Sequence, residues 1–426
     1  MSLIVRGVCV FLLAVLLAAP ARVAAVGNPD PVRAWNELAL TTVRTLRLSD
    51  AQAARLYAMV NVAMYDAVNG ILIRRGKPES RHQALVAADT APPYANPAVA
   101  AAAAAHAVLA GEQPSLVAVY DEQLARDLSF GHNGREWGAW VGAQVRALRT
   151  GDGSTPNESQ PGTTAPGSFR GTWSGVQFRN LRPFAIASAA PYVGSGPPAL
   201  DSLQYAAAFA EVKVQGNIAI ADAGATATYN FWSLGAGTSQ PPGAWMQVAL
   251  AVTADSPLPL PEMTRLFALL GMALSDSVAP TVTTKYVYHS WRPTTAIQEA
   301  DTDGNPYTEA EPGWSARAGG PGTSPEYWSG HSSFSAAGAA MLAAFYCADD
   351  IPFELATDSA APGEVRRYAS FSQAAAEAGR SRLDGGLHFR FSDRDGQASG
   401  RAVAAEIAAT ALLRQHGQTH FGRCPR

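Results

Sequence analysis

Ser329, Gly330 and His331 lie where an irregular segment gives way to an apolar, alanine-rich stretch that is typical of a buried helix. The start of a helix presents unpaired backbone N–H groups and the positive end of the helix dipole, which together favour an anion. Gly330 allows close backbone approach, Ser329 adds a hydroxyl donor, and His331 adds a titratable ring. This combination predicts an oxyanion site with an acid or base beside it, although an N-cap serine followed by a core histidine would also explain it.

Two further segments supply cations and another histidine. Only three of the 32 basic residues are lysines, and Lys285 lies in an aromatic-rich segment where a solubilising charge has little purpose. Its compact ammonium suits a point contact with an anion, and the guanidinium of Arg292 suits a bidentate one. Downstream, Arg382 lies near a predicted helix end, and the Gly-Gly turn after it can bring His388 back towards it.

In this order the motifs resemble the signature of the vanadium-dependent haloperoxidases, which the acid phosphatases of the type 2 phosphatidic acid phosphatase superfamily share. The matching residues are Lys285, Arg292-Pro293, Ser329-Gly330-His331 and Ser381-Arg382 followed by His388. One position departs from the signature, because the middle motif usually begins with proline and this chain has Trp328. The motifs cover roughly the last third of the chain.

The resemblance implies that vanadate is the cofactor and that halide is oxidised by hydrogen peroxide to hypohalous acid. In this interpretation His388 is the metal ligand, and His331, Lys285 and His388 are the catalytic residues. The vanadate oxygens are bound by Lys285, Arg292, Ser329, Gly330 and Arg382. The implied partners are therefore hydrogen peroxide and a halide or small organic acceptor.

Two alternatives remain open at this stage. An exported acid phosphatase would use the same residues, with His388 forming a phosphohistidine and His331 protonating the leaving group. A helical binding or structural protein with a decayed site is the third hypothesis. The halide is not indicated, because fungal chloroperoxidases carry Phe and algal bromoperoxidases His at a position where this chain has Ser324. Trp291 and Trp328 are candidates for an apolar halide environment or for core packing.

Residues 1–25 resemble a secretory signal, with Arg6, an apolar run from Val8 to Ala19, and a cleavage site after Ala25. We therefore expect a secreted or periplasmic protein whose mature net charge is −5, which gives no indication of nucleic-acid binding. No later segment is predicted to span a membrane. Cys347 and Cys424 are candidates for one disulfide in an oxidising compartment, with two free thiols as the alternative.

The predicted fold class is all-α, and the resemblance implies helical bundles of the vanadium chloroperoxidase and acid phosphatase type. After the signal, residues 26–426 are predicted to form a single helical unit, with the oxyanion-site core at about 261–426. The helical patterns span residues 31–72, 96–110, 114–128, 136–150, 202–214, 241–254, 261–278, 329–348, 362–382 and 393–416.

Three further expectations concern particular segments of the chain. Residues 151–200 form a long irregular region whose aromatic content favours an ordered loop over the helical body, near the site. Gly70 is predicted to cap the first helix, and Asp66 to lie on its exposed face. The segment from Asp301 to Asn305 looks like a calcium loop but lacks the expected glutamate, so a plain turn is favoured.

Overall fold

The structure is a computed structural model that describes residues 30–76, 82–86, 91–129 and 131–413. Helices dominate these residues, and the prediction of an all-α fold with helical bundles is confirmed. The α-helices in the described ranges are α1 (Pro31–Leu46), α2 (Asp50–Arg74), α3 (Pro97–Glu112), α4 (Val117–Leu128), α5 (Arg135–Leu148), α6 (Leu203–Gln215), α7 (Ala223–Phe231), α8 (Gln240–Asp255), α9 (Leu260–Asp276), α10 (Val278–Tyr288), α11 (Pro293–Gln298), α12 (Gly330–Tyr346), α13 (Phe371–Asp384) and α14 (Arg390–Thr410).

Helix α2 lies at the centre of the N-terminal half. A capping box starts it, in which the Ser49 hydroxyl accepts from the backbone N–H of Gln52 and the Gln52 side chain accepts from the backbone N–H of Ser49. Most of its residues are buried on all sides, because α2 packs against α3, α5 and α9. By length and composition, α2 and the continuous segment Leu260–Tyr288 are apolar enough to span a membrane, but 94% of each apolar window is buried inside the fold. No later segment was predicted to span a membrane; these two segments meet the criteria of length and composition only, as buried core helices also can.

The C-terminal half is built around α12, which packs against α13 and α14. The approach of α12 to α14 depends on Gly400, since a Cβ there would lie 2.1 Å from the carbonyl oxygen of Ser333. Helix α12 also contacts α8 and α9, so the two halves share one continuous set of buried apolar side chains.

The strands in the described residues are short and antiparallel. Ser159–Gln160 (β1) pairs with Trp173–Ser174 (β2), and Phe353–Leu355 (β3) pairs with Arg366–Tyr368 (β4). The β1–β2 pair lies in the irregular region, which is an ordered loop against the helical body as predicted. The irregular region is held to α9 by Asp276. The carboxylate of Asp276 accepts from three successive backbone N–H groups, those of residues 184–186, at 2.6–3.0 Å.

Several predicted boundaries in the N-terminal half were wrong. The pattern over 31–72 is two helices, because the chain turns at Arg47, which has a φ of 52°, and starts again at the Ser49 cap. Gly70 does not cap the second helix, which continues to Arg74. Asp66 is not on an exposed face; it is buried and accepts from the backbone N–H groups of Leu85 and Val86. Burial raises its pKa to about 7.

In the C-terminal half, α13 begins at Phe371 and not near 362, because β4 occupies the intervening residues. The Asp301–Asn305 segment is a turn in which Asp303 accepts from the backbone N–H of Asn305 and from the Thr308 hydroxyl. The predicted signal segment and Cys424 lie outside the described residues. Cys347 is disulfide-bonded, and its pairing with Cys424 stays a prediction, as does the single-unit organisation of 26–426.

Candidate active site

A cavity of about 680 Å³ lies between the C-terminal bundle, the α1–α2 junction and the irregular region. Most of the predicted site residues line it, although they come from four separate helices or their ends. They are Lys285, Arg292, Gly330, His331, Arg382 and His388. The structure therefore brings together both histidines and all three cations that the motifs predicted. Ser329 is the predicted site residue that is not in the cavity wall.

Lys285 lies in the last turn of α10, which ends at His289 in a left-handed conformation. The Lys285 ammonium donates to the carbonyl oxygens of Pro325 and Glu326, so it holds the loop that precedes α12. Loss of hydration, aided by the charge of Arg292, lowers the pKa of Lys285 well below its ordinary value. The side chain is therefore a less firmly protonated cation than a surface lysine.

Arg292 is the N-cap residue of α11 and is held by a network of hydrogen bonds. Its guanidinium donates to the Ser324 carbonyl at 2.7 Å, the Ser324 hydroxyl at 3.2 Å and the Leu387 carbonyl at 2.7 Å. Its Nη1 also lies 2.9 Å from Nε2 of His388. Burial lowers the pKa of Arg292 to about 10, so the group stays cationic at neutral pH.

Arg382 comes from the last turn of α13 and has far fewer partners. Its Nη1 donates to the carbonyl of Trp232 at 3.4 Å, and its buried Nε–H has no partner in the described part of the chain. Burial lowers its pKa to about 10, so it too remains charged. A buried, unpaired guanidinium donor is costly. Its position beside two other cations fits a site that is completed by an anion.

Ser329, Gly330 and His331 lie at the start of α12, and each has different contacts. Ser329 is fully buried, and its hydroxyl caps the helix by accepting from the backbone N–H of Ser332 at 3.2 Å. Gly330 lines the cavity, so the open N-terminus of α12 faces it. Nε2 of His331 lies 3.1 Å from the carbonyl oxygen of Ser233, which requires this nitrogen to carry the proton. Burial and the charge of Arg382 lower the pKa of His331 well below its ordinary value, so the ring is neutral with a free lone pair on Nδ1.

His388 is brought back to the cavity by the predicted Gly-Gly turn. The backbone N–H groups of Leu387 and His388 donate to the carbonyl of Arg382, at 2.9 and 3.3 Å. Burial and the charge of Arg292 lower the pKa of His388 well below its ordinary value. The ring is therefore neutral, the form in which imidazole binds a metal.

Two carboxylates of the site were not assigned a role from the sequence. Glu326 lies behind His388, and its Oε1 is 3.0 Å from Nδ1 of that ring. Asp50, the first residue of α2, lines the cavity, and burial raises its pKa. The position of Glu326 three residues before the motif serine was a usable signal. Asp50 gives none, because only the tertiary fold brings the start of α2 to the motif residues.

The aromatic candidates lie elsewhere. The indole N–H of Trp328 donates to the Thr281 hydroxyl at 3.2 Å, and neither Trp291 nor Trp328 lines the cavity, so both pack in the core. His289 packs edge-on against Phe169 and also lies outside the cavity wall. The apolar wall includes residues from the irregular region and the surrounding helices, among them Trp173, Phe178, Leu234, Val278, Val282 and Phe334.

The side chains that line the cavity suit a metal oxyanion better than a metal cation. Within the described ranges, no group of three or more His, Cys, Asp and Glu side chains is placed to hold a metal cation. The cavity instead presents the three predicted cations, a helix N-terminus, one unpaired guanidinium N–H and the imidazoles of His331 and His388. Vanadate and phosphate are the tetrahedral oxyanions that such a set would bind.

Comparisons with known proteins agree with this geometry. Residues 265–416 match the family model described as the second helical-bundle domain of VCPO. The first bacterial vanadium-dependent iodoperoxidase has a similar structure, with a TM-score of 0.73, 21% identity, and coverage of 92% of this chain and 98% of that one. A bacterial vanadium-dependent chloroperoxidase in its holo form gives a TM-score of 0.68 at 14% identity, with 90% and 96% covered. Among curated protein sequences, no match was found.

Proposed function

We propose that this chain, which has the fold of the vanadium-dependent haloperoxidases, binds vanadate and oxidises halide with hydrogen peroxide to hypohalous acid. The observation that carries the proposal is the cavity in which three cations surround a neutral histidine. Lys285, Arg292 and Arg382 are each no more than 6% exposed, so their attraction for an anion is only weakly screened by water.

Each group would have a distinct task. Lys285, Arg292, Arg382 and the N-terminus of α12 at Gly330 would bind the oxygens of vanadate, and Nε2 of His388 would bind the metal. Bound vanadate supplies a Lewis-acid centre that activates peroxide towards attack by halide. The buried cations stabilise negative charge that develops on oxygen, since they are already in position before the reaction.

His331 is the group that moves protons. Its Nε2–H is held by the Ser233 carbonyl, so Nδ1 is the nitrogen that takes a proton from a reactant in the cavity. Burial and the neighbouring cation Arg382 disfavour a lasting imidazolium, and the proton is therefore readily released again. Trp173, Phe178 and Phe334 limit access of water to these groups.

The phosphatase alternative uses the same donors, with Nε2 of His388 attacking phosphorus. Two of the similar solved structures are an iodoperoxidase and a chloroperoxidase, which favours the haloperoxidase. Glu326 is compatible with both chemistries, because an acceptor at Nδ1 leaves Nε2 of His388 available in either case.

The deciding experiment compares metal-stripped and vanadate-loaded protein. We expect the stripped protein to oxidise neither iodide nor bromide with peroxide, and added vanadate to restore oxidation. Phosphate should compete with this restoration, because it fits the same cations. H388A should remove the activity, whereas R380A, two residues from Arg382 on an exposed face of α13, should retain it. If vanadate-loaded protein oxidises no halide while vanadate-free protein hydrolyses a phosphomonoester well, the protein is a phosphatase and the haloperoxidase proposal is wrong.

We also propose that the protein is exported from the cytoplasm. The apolar run from Val8 to Ala19 and the site after Ala25 support secretion into the periplasm or beyond. An intact mass that retains Met1 in protein collected outside the cytoplasm would contradict it.

A further inference from the structure

Glu326 is a buried carboxylate directly behind His388. It is 1% exposed, and its Oε1 lies 3.0 Å from Nδ1 of His388 and 3.0 Å from the backbone nitrogen of Phe389. The bond from Phe389 fixes the carboxylate independently of the imidazole. Oε1 is therefore already in place for the ring nitrogen that faces away from the cavity.

The opposite side of the ring identifies the tautomer. Nη1 of Arg292 lies 2.9 Å from Nε2 of His388, and a guanidinium can only donate. Nε2 must therefore accept and carries no hydrogen, so the single hydrogen of the neutral ring is on Nδ1. That hydrogen is donated to Glu326. Two contacts on opposite sides of the imidazole thus require the same tautomer.

The segment that carries Glu326 is held by three residues from two other parts of the chain. Its backbone N–H donates to the carbonyl of Ser290 at 2.9 Å, and its own carbonyl accepts from Lys285 at 3.3 Å and from the Ser392 hydroxyl at 3.5 Å. Oε2 has no partner in the described part of the chain. Because only Oε1 is used, the carboxylate is placed for the ring and the Phe389 N–H, and not as a paired partner of a cation.

We propose that Glu326 is the positioning residue of His388: it keeps the hydrogen on Nδ1 and directs the Nε2 lone pair into the oxyanion cavity. This inference rests on the proposed function, in which Nε2 binds the metal of vanadate. Hydrogen-bond acceptors of this kind behind a metal-bound histidine typically change metal affinity about 10- to 100-fold when they are lost. Glu326 does not touch the oxyanion cavity and is not itself a catalytic residue.

The test measures binding of two oxyanions to the full-length protein. E326M removes the acceptor but keeps an apolar side chain of similar length, and we expect vanadate to bind about 10- to 100-fold more weakly. Inorganic phosphate, which engages the cations without a bond to Nε2, should bind nearly as before. E326Q keeps an oxygen at the position of Oε1 and should recover most of the vanadate affinity. An equal loss for both anions in E326M would mean that Glu326 only supports the cavity, and would overturn the proposal.

A second measurement does not depend on vanadate. In protein with 15N-labelled histidine, the Nδ1-bound hydrogen of His388, assigned by its absence in H388Q, should be protected from exchange with water in the wild type and in E326Q. E326M should lose that protection. Unchanged protection together with unchanged vanadate affinity would overturn the proposal.

Two results separate this proposal from the function on which it rests. If the wild type binds phosphate but shows no preference for vanadate and oxidises no halide, the proposed function fails. If the wild type is an active haloperoxidase and E326M binds vanadate equally well, only the role of Glu326 fails. Should E326M not fold, E326D withdraws the carboxylate by one methylene while keeping its charge. It must then show the same selective loss of vanadate, and retained affinity in E326D would overturn the proposal.

Discussion

Arg292 donates a hydrogen bond to Nε2 of His388 across 2.9 Å, although 96 residues separate the two in the sequence. The same nitrogen is the proposed metal ligand, so the guanidinium and the metal compete for one lone pair. Coordination of vanadate therefore requires Nη1 of Arg292 to exchange this bond for one to an oxygen of the anion. The remaining bonds of Arg292, to Ser324 and Leu387, limit how far the side chain has to move.

Arg382 and Arg292 should differ in what their removal does. R382A should weaken vanadate binding by about 1.5–3 kcal/mol, the loss of a charged hydrogen bond, with little loss of folding stability. The reason is that Arg382 has one long bond to the protein and an unpaired Nε–H. R292A should lower both the vanadate affinity and the folding stability, because Arg292 also donates hydrogen bonds to Ser324, Leu387 and His388. Calorimetric titration and thermal unfolding measure the two quantities.

The control for this series is R380A, which removes an exposed arginine from the same helix. It should change vanadate affinity by less than about 0.5 kcal/mol. If R382A binds vanadate like R380A, the unpaired guanidinium is not part of the oxyanion site.

Ser329 distinguishes the helix-cap role from the cofactor role that the resemblance implies. S329A should lower the free energy of unfolding by about 0.5–2 kcal/mol, because it removes the cap of α12. Its vanadate affinity should change less than that of R382A, because the side chain does not line the cavity. Chemical denaturation and titration with vanadate test this pair of expectations. A large loss of affinity with unchanged stability would restore the hydroxyl to the site.

His331 should make the protein less stable in mild acid. Its pKa in the folded state lies well below 6.5, whereas the unfolded chain has the ordinary value, so the unfolded state binds more protons as the pH falls through 6.5. Between pH 7 and pH 5 this difference amounts to at most about 2 kcal/mol. H331N should therefore lose less stability than the wild type over that interval. H132N, which changes an exposed histidine, should follow the wild type.

The predicted bond between Cys347 and Cys424 closes a long loop and should contribute about 4 kcal/mol in the chain-entropy account. C424S should lower the melting temperature of the unreduced protein to that of the reduced wild type. Two thiols that can be alkylated in unreduced, denatured protein would show that this pair is not bridged.

The sequence was most informative where local chemistry determines local structure. The Gly-Gly turn after Arg382 and the helix that follows Ser329 both depend on residues that lie close together in the chain. The exposure of Asp66 was predicted wrongly because tertiary contacts decide it: its partners are backbone N–H groups about twenty residues away. Asp50 was missed for the same reason. Ser329 was placed in the right segment, but only the atomic contacts separate a cap from a ligand.

The cavity has walls from parts of the chain that carry none of its charged motifs. The segment from Arg47 to Gln52 and residues 172–175 close it from outside the 265–416 match. A fragment limited to residues 265–416 would retain Lys285, Arg292, Arg382 and both histidines, but it would lose Arg47 and open the site to bulk water. Because the effective dielectric constant would then approach that of the solvent, each charge would attract an oxyanion several-fold less strongly. The N-terminal half therefore contributes to recognition by keeping water away from the charged groups. Truncation from that end should reduce the affinity for vanadate even while every proposed vanadate-binding residue remains.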